Sequence, residues 1–303
     1  MYQAVNYLDY EPKIDREVLR ELSRKDAARS TFYLLLLAGV ALGSFSLLVL
    51  LPSLASFVIV FLVIGVLQHH LLIVQHEALH LFLFNDRRAN EYIGAVVSYL
   101  IGFTMRYRKL HFSHHRQLGG VGDPDLHNYE LTPLTSAHLR KMLLLNLTGI
   151  AAITQFFRQS IGTKNVTENE SFDWGVLGIV FTQLLLLVGF YAVGHVQYYF
   201  VFWLLPLITI AKTITNFRNM AEHLLMQGNT RYRTILCGGV EKLIFAPLNF
   251  NYHADHHLCL SVPYQNLPQL HEYLSKLDDY RDYVDVRTGY ISTIRDALGK
   301  TAL

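Results

Sequence analysis

The sequence predicts an all-α integral-membrane fold: four transmembrane helices in two hairpins with a cytoplasmic helical cap, one domain over residues 1–303. Three observations predict it. Residues 31–75 and 174–211 contain no Asp, Glu, Lys or Arg, runs of 45 and 38 residues. Each run holds a natural turn near its middle. All 26 basic residues fall in the three segments outside those runs. Composition agrees, with 51% of residues hydrophobic and 17% charged, against about 25% charged in soluble domains. A net charge of +2 gives a nucleic-acid role no support. Two cysteines, Cys237 and Cys259, are too few for a disulfide framework and suit a reducing compartment.

Residues 1–30 carry six basic side chains interleaved with acids, and Val18, Leu19 and Leu22 form one apolar stripe. A short interfacial helix is expected in this segment. It has no apolar core, so no cleavable signal is expected. As helix, the run 31–75 is about twice as long as a bilayer crossing needs. Pro52-Ser53 marks the turn between spans 31–51 and 54–75. His69 and His70 lie inside the second span, where helix packing is their expected role.

Residues 76–173 form a cytoplasmic and interfacial region. Its stretches 89–105 and 137–157 are apolar but short or interrupted by polar residues, so both are expected on the membrane surface. Gly119-Gly120-Val121-Gly122-Asp123-Pro124-Asp125 reads as a turn-rich loop, and 162–173 as a polar linker. The second hairpin, 174–211, turns near Gly194-His195-Val196-Gln197. Trp174, Tyr198, Tyr199 and Trp203 suit the bilayer interfaces. Residues 212–303 return to ordinary polarity. The basic residues divide six, ten and ten among the N-terminal, middle and C-terminal segments. By the positive-inside rule all three segments, and both termini, are cytoplasmic.

Eight of the 15 histidines stand in three tight groups: His76 and His80; His111, His114 and His115; His253, His256 and His257. On a helix, positions i, i+3 and i+4 share a face, so each group aims its imidazoles one way. Neutral imidazole is the commonest protein ligand for iron, zinc and copper. Eight exceed what one four-coordinate zinc uses and are enough for a two-metal centre. Asn219 and His223 lie just beyond the fourth span, and their helix continues it as His76 and His80 continue the second. Glu77, Asp123, Asp125, Glu222 and Asp255 are candidates to orient the imidazoles. Arg106, Arg108, Lys109 and Arg116 flank the second group in a generic interfacial role, with a lipid head group as the alternative.

On these motifs the chain resembles the integral-membrane fatty acid desaturase and hydroxylase superfamily. It carries H-x-x-x-H at His76/His80 and H-x-x-H-H at His111/His114/His115 and at His253/His256/His257. The last box is preceded by Pro247-Leu248-Asn249-Phe250-Asn251-Tyr252 and followed by Ser261-Val262-Pro263-Tyr264. The resemblance runs from the first hairpin to Leu274. The set of three boxes is specific, whereas one box alone is not. It implies a non-haem di-iron centre with nine histidine ligands, His223 being the ninth, and Asn219 holding one iron through a water. The implied reaction uses O2 to place a double bond in a fatty acyl chain, with hydroxylation as the alternative. An alkyl C–H bond has no acid or base handle, so proton transfer cannot cleave it; an oxidant generated from O2 at two irons can.

Departures from relatives refine the expectation. The first box has three intervening residues where stearoyl-type acyl-CoA desaturases have four, which favours lipid-linked or carrier-linked acyl chains. His253 stands where front-end desaturases have Gln. No His-Pro-Gly-Gly element occurs, so a separate electron donor of ferredoxin or cytochrome b5 type is expected. A competing reading takes His76-Glu77-Ala78-Leu79-His80 as the H-E-x-x-H of an intramembrane zinc protease, with Glu77 as base. It leaves both H-x-x-H-H boxes unexplained. A non-catalytic haem or metal-binding membrane protein is the other alternative, which a Soret band would reveal.

Overall fold

The computed structural model describes residues 10–120, 122–126, 134–161, 172–223 and 232–299. Most of the expected linker 162–173, Val121 of the glycine-rich loop and residues 1–9 lie outside the described residues. Asp15 starts α1 (Arg16–Leu22) by accepting the Glu17 N–H at 2.7 Å. Leu19 and Leu22 turn inward onto the core. The first hairpin is α2 (Ala27–Leu50) and α3 (Leu54–Leu79). Ser53 and Ser56 cap α3 reciprocally, each hydroxyl accepting the other's backbone N–H at 3.1 and 2.8 Å. This box fixes the turn after Pro52. Then come α4 (Arg87–Leu100), α5 (Tyr107–Gln117), α6 (Ser136–Leu147), α7 (Ile150–Ile161) and α8 (Gly175–Ala192). The fourth span runs through α9 (Val196–Tyr199), π-helical turns at Phe200–Leu204 and Leu207–Ala211, and α10 (Lys212–His223). Pro206, which has no N–H to give the preceding turn, sits between the two π segments.

Four helical segments are long and apolar enough to cross a membrane: Arg16–Leu50, Leu54–Leu79, Gly175–Ala192 and Val196–His223. The expected all-α, two-hairpin architecture is present. Phe32, Leu35, Leu42, Leu54, Phe181 and Leu185 are 61% to 80% exposed, a surface that suits lipid rather than water. Close approach holds the spans together. A methyl group on Gly65 of α3 would collide with Ile210, and one on Gly178 of α8 with the Tyr99 ring.

The stretch 89–105, expected as a half-buried or interfacial helix, holds most of α4, which packs against α3 and α8. Gln183 donates to the Tyr99 and Leu100 carbonyls at 2.9 and 3.0 Å, and Gln75 to Ser98 Oγ at 2.8 Å. Those bonds satisfy polar atoms that lipid could not. The stretch 137–157 breaks into α6 and α7 at Gly149, whose φ of +75° ends a right-handed helix.

The last third adds β1 (Tyr232–Leu236), α11 (Gly239–Phe245), α12 (His253–Leu258), α13 (Leu267–Leu274), α14 (Tyr280–Tyr283), β2 (Val284–Thr288) and α15 (Tyr290–Gly299). β1 and β2 pair in parallel, with Thr234 opposite Val286, a small sheet the sequence reading did not anticipate. The N-terminal segment is pinned to this region. Asn266 donates to the Leu22 and Arg24 carbonyls at 2.7 and 2.8 Å, and Tyr10 stacks on Tyr283 at 4.3 Å. Both segments therefore lie on one side of the spans.

Candidate metal centre

Four helices deliver the histidines. His76 is on the last turn of α3 and His80 is its C-cap. His111, His114 and His115 are on α5, His223 ends α10, and His253, His256 and His257 are on α12. Ring nitrogens of His76, His80, His111, His115 and His256 all lie within 4.8 Å of one another. A second group holds His114, His253 and His257 within the same limit, and His223 joins it through His253 and Glu222. The groups adjoin, with the rings of His115 and His257 4.2 Å apart. All nine histidines named from the sequence thus meet in one place. The tenth residue, Asn219, is on α10, and its Oδ1 accepts from Arg218 Nη2 at 2.6 Å.

The donor set fits a pair of metal ions. A metal–nitrogen bond of about 2.1 Å puts adjacent ligand nitrogens about 3 Å apart. His111 Nε2 lies 2.7 Å from His80 Nε2 and 2.9 Å from His115 Nε2. Both His253 ring nitrogens and His256 Nε2 are buried without a hydrogen-bond partner, which is costly for a polar atom unless a ligand takes it. Burial first, then repulsion among the rings, holds His80, His111, His115, His253 and His257 below the usual imidazole range and His256 at about 3. These rings are neutral at physiological pH and keep their lone pairs for a cation.

Carboxylates set the orientation of several rings. His76 Nδ1 pairs with Glu77 Oε1 at 2.9 Å, leaving Nε2 for the cluster. His114 Nδ1 pairs with Asp123 at 3.0 Å, and Asp123 also accepts the N–H groups of Gly119 at 2.6 Å and Asp125 at 2.8 Å. The turn-rich loop is therefore a cradle for one carboxylate. Asp125 stands further from His114, at 3.8 Å, and Glu222 lies 3.9 Å from His253 Nδ1.

Asp255 departs from expectation. It contacts no box imidazole among the described residues; it accepts from Tyr280 and Thr234 hydroxyls, both at 2.8 Å, and pairs with His271 Nδ1 at 3.1 Å. Its work is to anchor α12 to β1 and α13. His69 and His70 are packing residues as expected. His69 contacts Thr215 Oγ1 at 3.0 Å, and His70 contacts Tyr33 at 2.8 Å. The protease reading loses its local motif, because His76 and His80 share a site with three further imidazoles and Glu77 is engaged by His76.

Sequence reasoning passed over Arg218, Phe250, His271, Tyr280 and Tyr290. Tyr290 donates to Glu222 Oε1 at 2.9 Å. The Arg218 guanidinium lies 4.2 Å from the Phe250 ring. Arg218 had a signal: it precedes Glu222 by four residues on a helix leaving a span, where an unexplained charge is informative. The tyrosines arrive from distant elements and had none.

Comparison with known proteins agrees with this geometry. The model of the fatty acid desaturase family matches residues 52–288, well over half of the chain. A dihydrorhizobitoxine desaturase of Bradyrhizobium elkanii is 25% identical over 284 residues, covering 87% of this chain and 78% of that protein.

Proposed function

Because the chain belongs to the fatty acid desaturase family, we propose that it is an O2-dependent, non-haem di-iron desaturase acting on a lipid-linked or carrier-linked fatty acyl chain. The observation that carries the reading is the meeting of nine imidazoles in two adjoining groups. His76, His80, His111, His115 and His256 would hold one iron and His114, His223, His253 and His257 the other, with Asn219 beside the second. Such an iron pair, when bound, supplies the oxidising power that unactivated C–H bonds require. The protein's part is to fix the rings. Glu77 and Asp123 lock two tautomers, and the Asp255 anchor holds α12 in place.

An apolar groove of about 400 Å³ lies between Ala28, Arg29, Phe32 and Tyr33 at the start of α2 and Leu248 and Tyr264 beside the third box. It supports an alkyl substrate entering from the bilayer edge. The B. elkanii relative is named for dihydrorhizobitoxine, so the acyl chain rests on the family and this groove rather than on that protein. The complete asymmetry of basic residues supports a cytoplasmic site served by a ferredoxin or cytochrome b5 type donor. Cysteine labels at Pro52 and Gln197 should then react from outside intact cells, and one at Gly120 only after lysis.

Expression in a lipid-producing host, with mass spectrometry of the acyl chains, tests the reaction. The expected product lacks two hydrogens. Gain of one oxygen instead would establish the hydroxylase, and no modified chain from iron-loaded protein with a working donor would refute the proposal.

A further inference from the structure

Arg218 is a cation buried where two metal ions would already concentrate positive charge. It is 8% exposed and has five N–H donors. Nη2 donates to Asn219 Oδ1 at 2.6 Å, and Nε faces Glu222 Oε2 at 3.5 Å. Nε and Nη1 are buried without a hydrogen-bond partner. The Phe250 ring, 4.2 Å away, covers one face of the guanidinium. Phe250 itself packs edge-on to His76 at 4.7 Å and lies 5.7 Å from His253, one ring from each group. Arg218 therefore stands at the seam between the two groups. After burial and the neighbouring rings, its charge helps hold His111 and His253 below the usual imidazole range.

A brace for Asn219 and Glu222 would use Nη2 and Nε and leave Nη1 idle in a dry place, which is costly for a charged donor. A bare alkyl chain offers a guanidinium nothing. The unused donors call for an oxygen acceptor on the substrate. We propose that Arg218 binds the acyl carbonyl oxygen of the substrate, and so directs desaturation to carbons near the carbonyl end of the chain. This rests on the desaturase reading and supplies its regiochemistry. The carbonyl belongs to a lipid ester or a carrier thioester, the two linkages of the proposed substrate, and each presents a carbonyl oxygen as acceptor.

The test uses iron-loaded, detergent-solubilised protein and pairs of probes that differ in the carbonyl alone. Palmitoyl-ester and hexadecyl-ether forms of one phospholipid make the first pair, and palmitoyl-pantetheine and its thioether the second. The wild type should bind the carbonyl member of at least one pair about 10- to 100-fold more tightly, the range for a charge-assisted hydrogen bond. The pair that discriminates identifies the linkage. In Arg218→Gln the preference should fall to about twofold or less, with Arg218→Lys between. Iron content, measured alongside, should be unchanged. Wild-type protein that ignores the carbonyl in every pair overturns the proposal, and this arm stands even if Arg218→Gln fails to fold. Full discrimination retained in Arg218→Gln overturns it too, as does a double bond placed nearer the methyl end. In each of those cases a desaturated product leaves the desaturase reading intact, whereas its absence removes that reading separately.

Discussion

The two histidine groups use the same side chain and are built differently. The first gathers five imidazoles from α3, α5 and α12, and Glu77 on His76 is its carboxylate contact at 2.9 Å. The second has four, from α5, α10 and α12, and is bordered by Asp123, Glu222, Asn219 and Arg218. One group is rich in ligands. The other has fewer imidazoles and more polar neighbours. The difference teaches that metal retention and ring orientation are separable, and mutations should separate them.

The largest effect expected is from ligand removal. His256→Ala and His253→Ala should both abolish product formation, as read by mass spectrometry. Iron content should distinguish them. His253→Ala leaves three imidazoles in the second group and should lose that ion, retaining about one iron per chain, whereas His256→Ala leaves four in the first and should retain more. Equal iron loss in the two variants would erase the contrast between the groups.

The next effect sharpens the role of orientation. Asp123→Asn should reduce metal affinity of the second group and turnover by roughly 10- to 100-fold, the usual cost of losing a carboxylate behind a ligating histidine. Asp125→Asn, whose carboxylate lies 3.8 Å from the His114 ring, should have little effect. A smaller effect belongs to the scaffold beneath the third box. His271→Ala removes one of three partners of buried Asp255 and should cost about 1–3 kcal/mol of stability, seen as a lowered unfolding temperature in detergent.

The spans hold one comparable effect and one negligible one. Gly65→Ala forces a methyl group into Ile210 and should destabilise by about 1–3 kcal/mol. Gly189→Ala on α8, where nothing lies within 4 Å, should stay within about 0.5 kcal/mol of wild type. Thermal unfolding of the pair measures whether α3 and α8 differ as their burial says.

By charge α3 and α8 look alike from sequence, and both spans were legible because hydrocarbon excludes charge over a fixed length. Their burial was not legible. α8 buries no residue, whereas the C-terminal half of α3 buries Gln68, His69, His70, Gln75, His76 and Glu77. Eight of the clustered histidines were legible because helical spacing is local, His223 followed from the family resemblance, and all nine converge. Asp255 misled because its neighbours in sequence are clustered histidines while its own bonds go to Thr234, His271 and Tyr280, on three elements distant in sequence. Gly149 marked a break that its apolar neighbours concealed. Arg218 was legible in its four-residue spacing to Glu222, but its contact with Phe250, from a distant element, was not.

Metal analysis of the purified wild-type protein tests the central claim most directly. Nine imidazoles in two adjoining groups predict about two irons per chain and little zinc. One stoichiometric zinc with no iron, in protein that remains folded, would contradict the account.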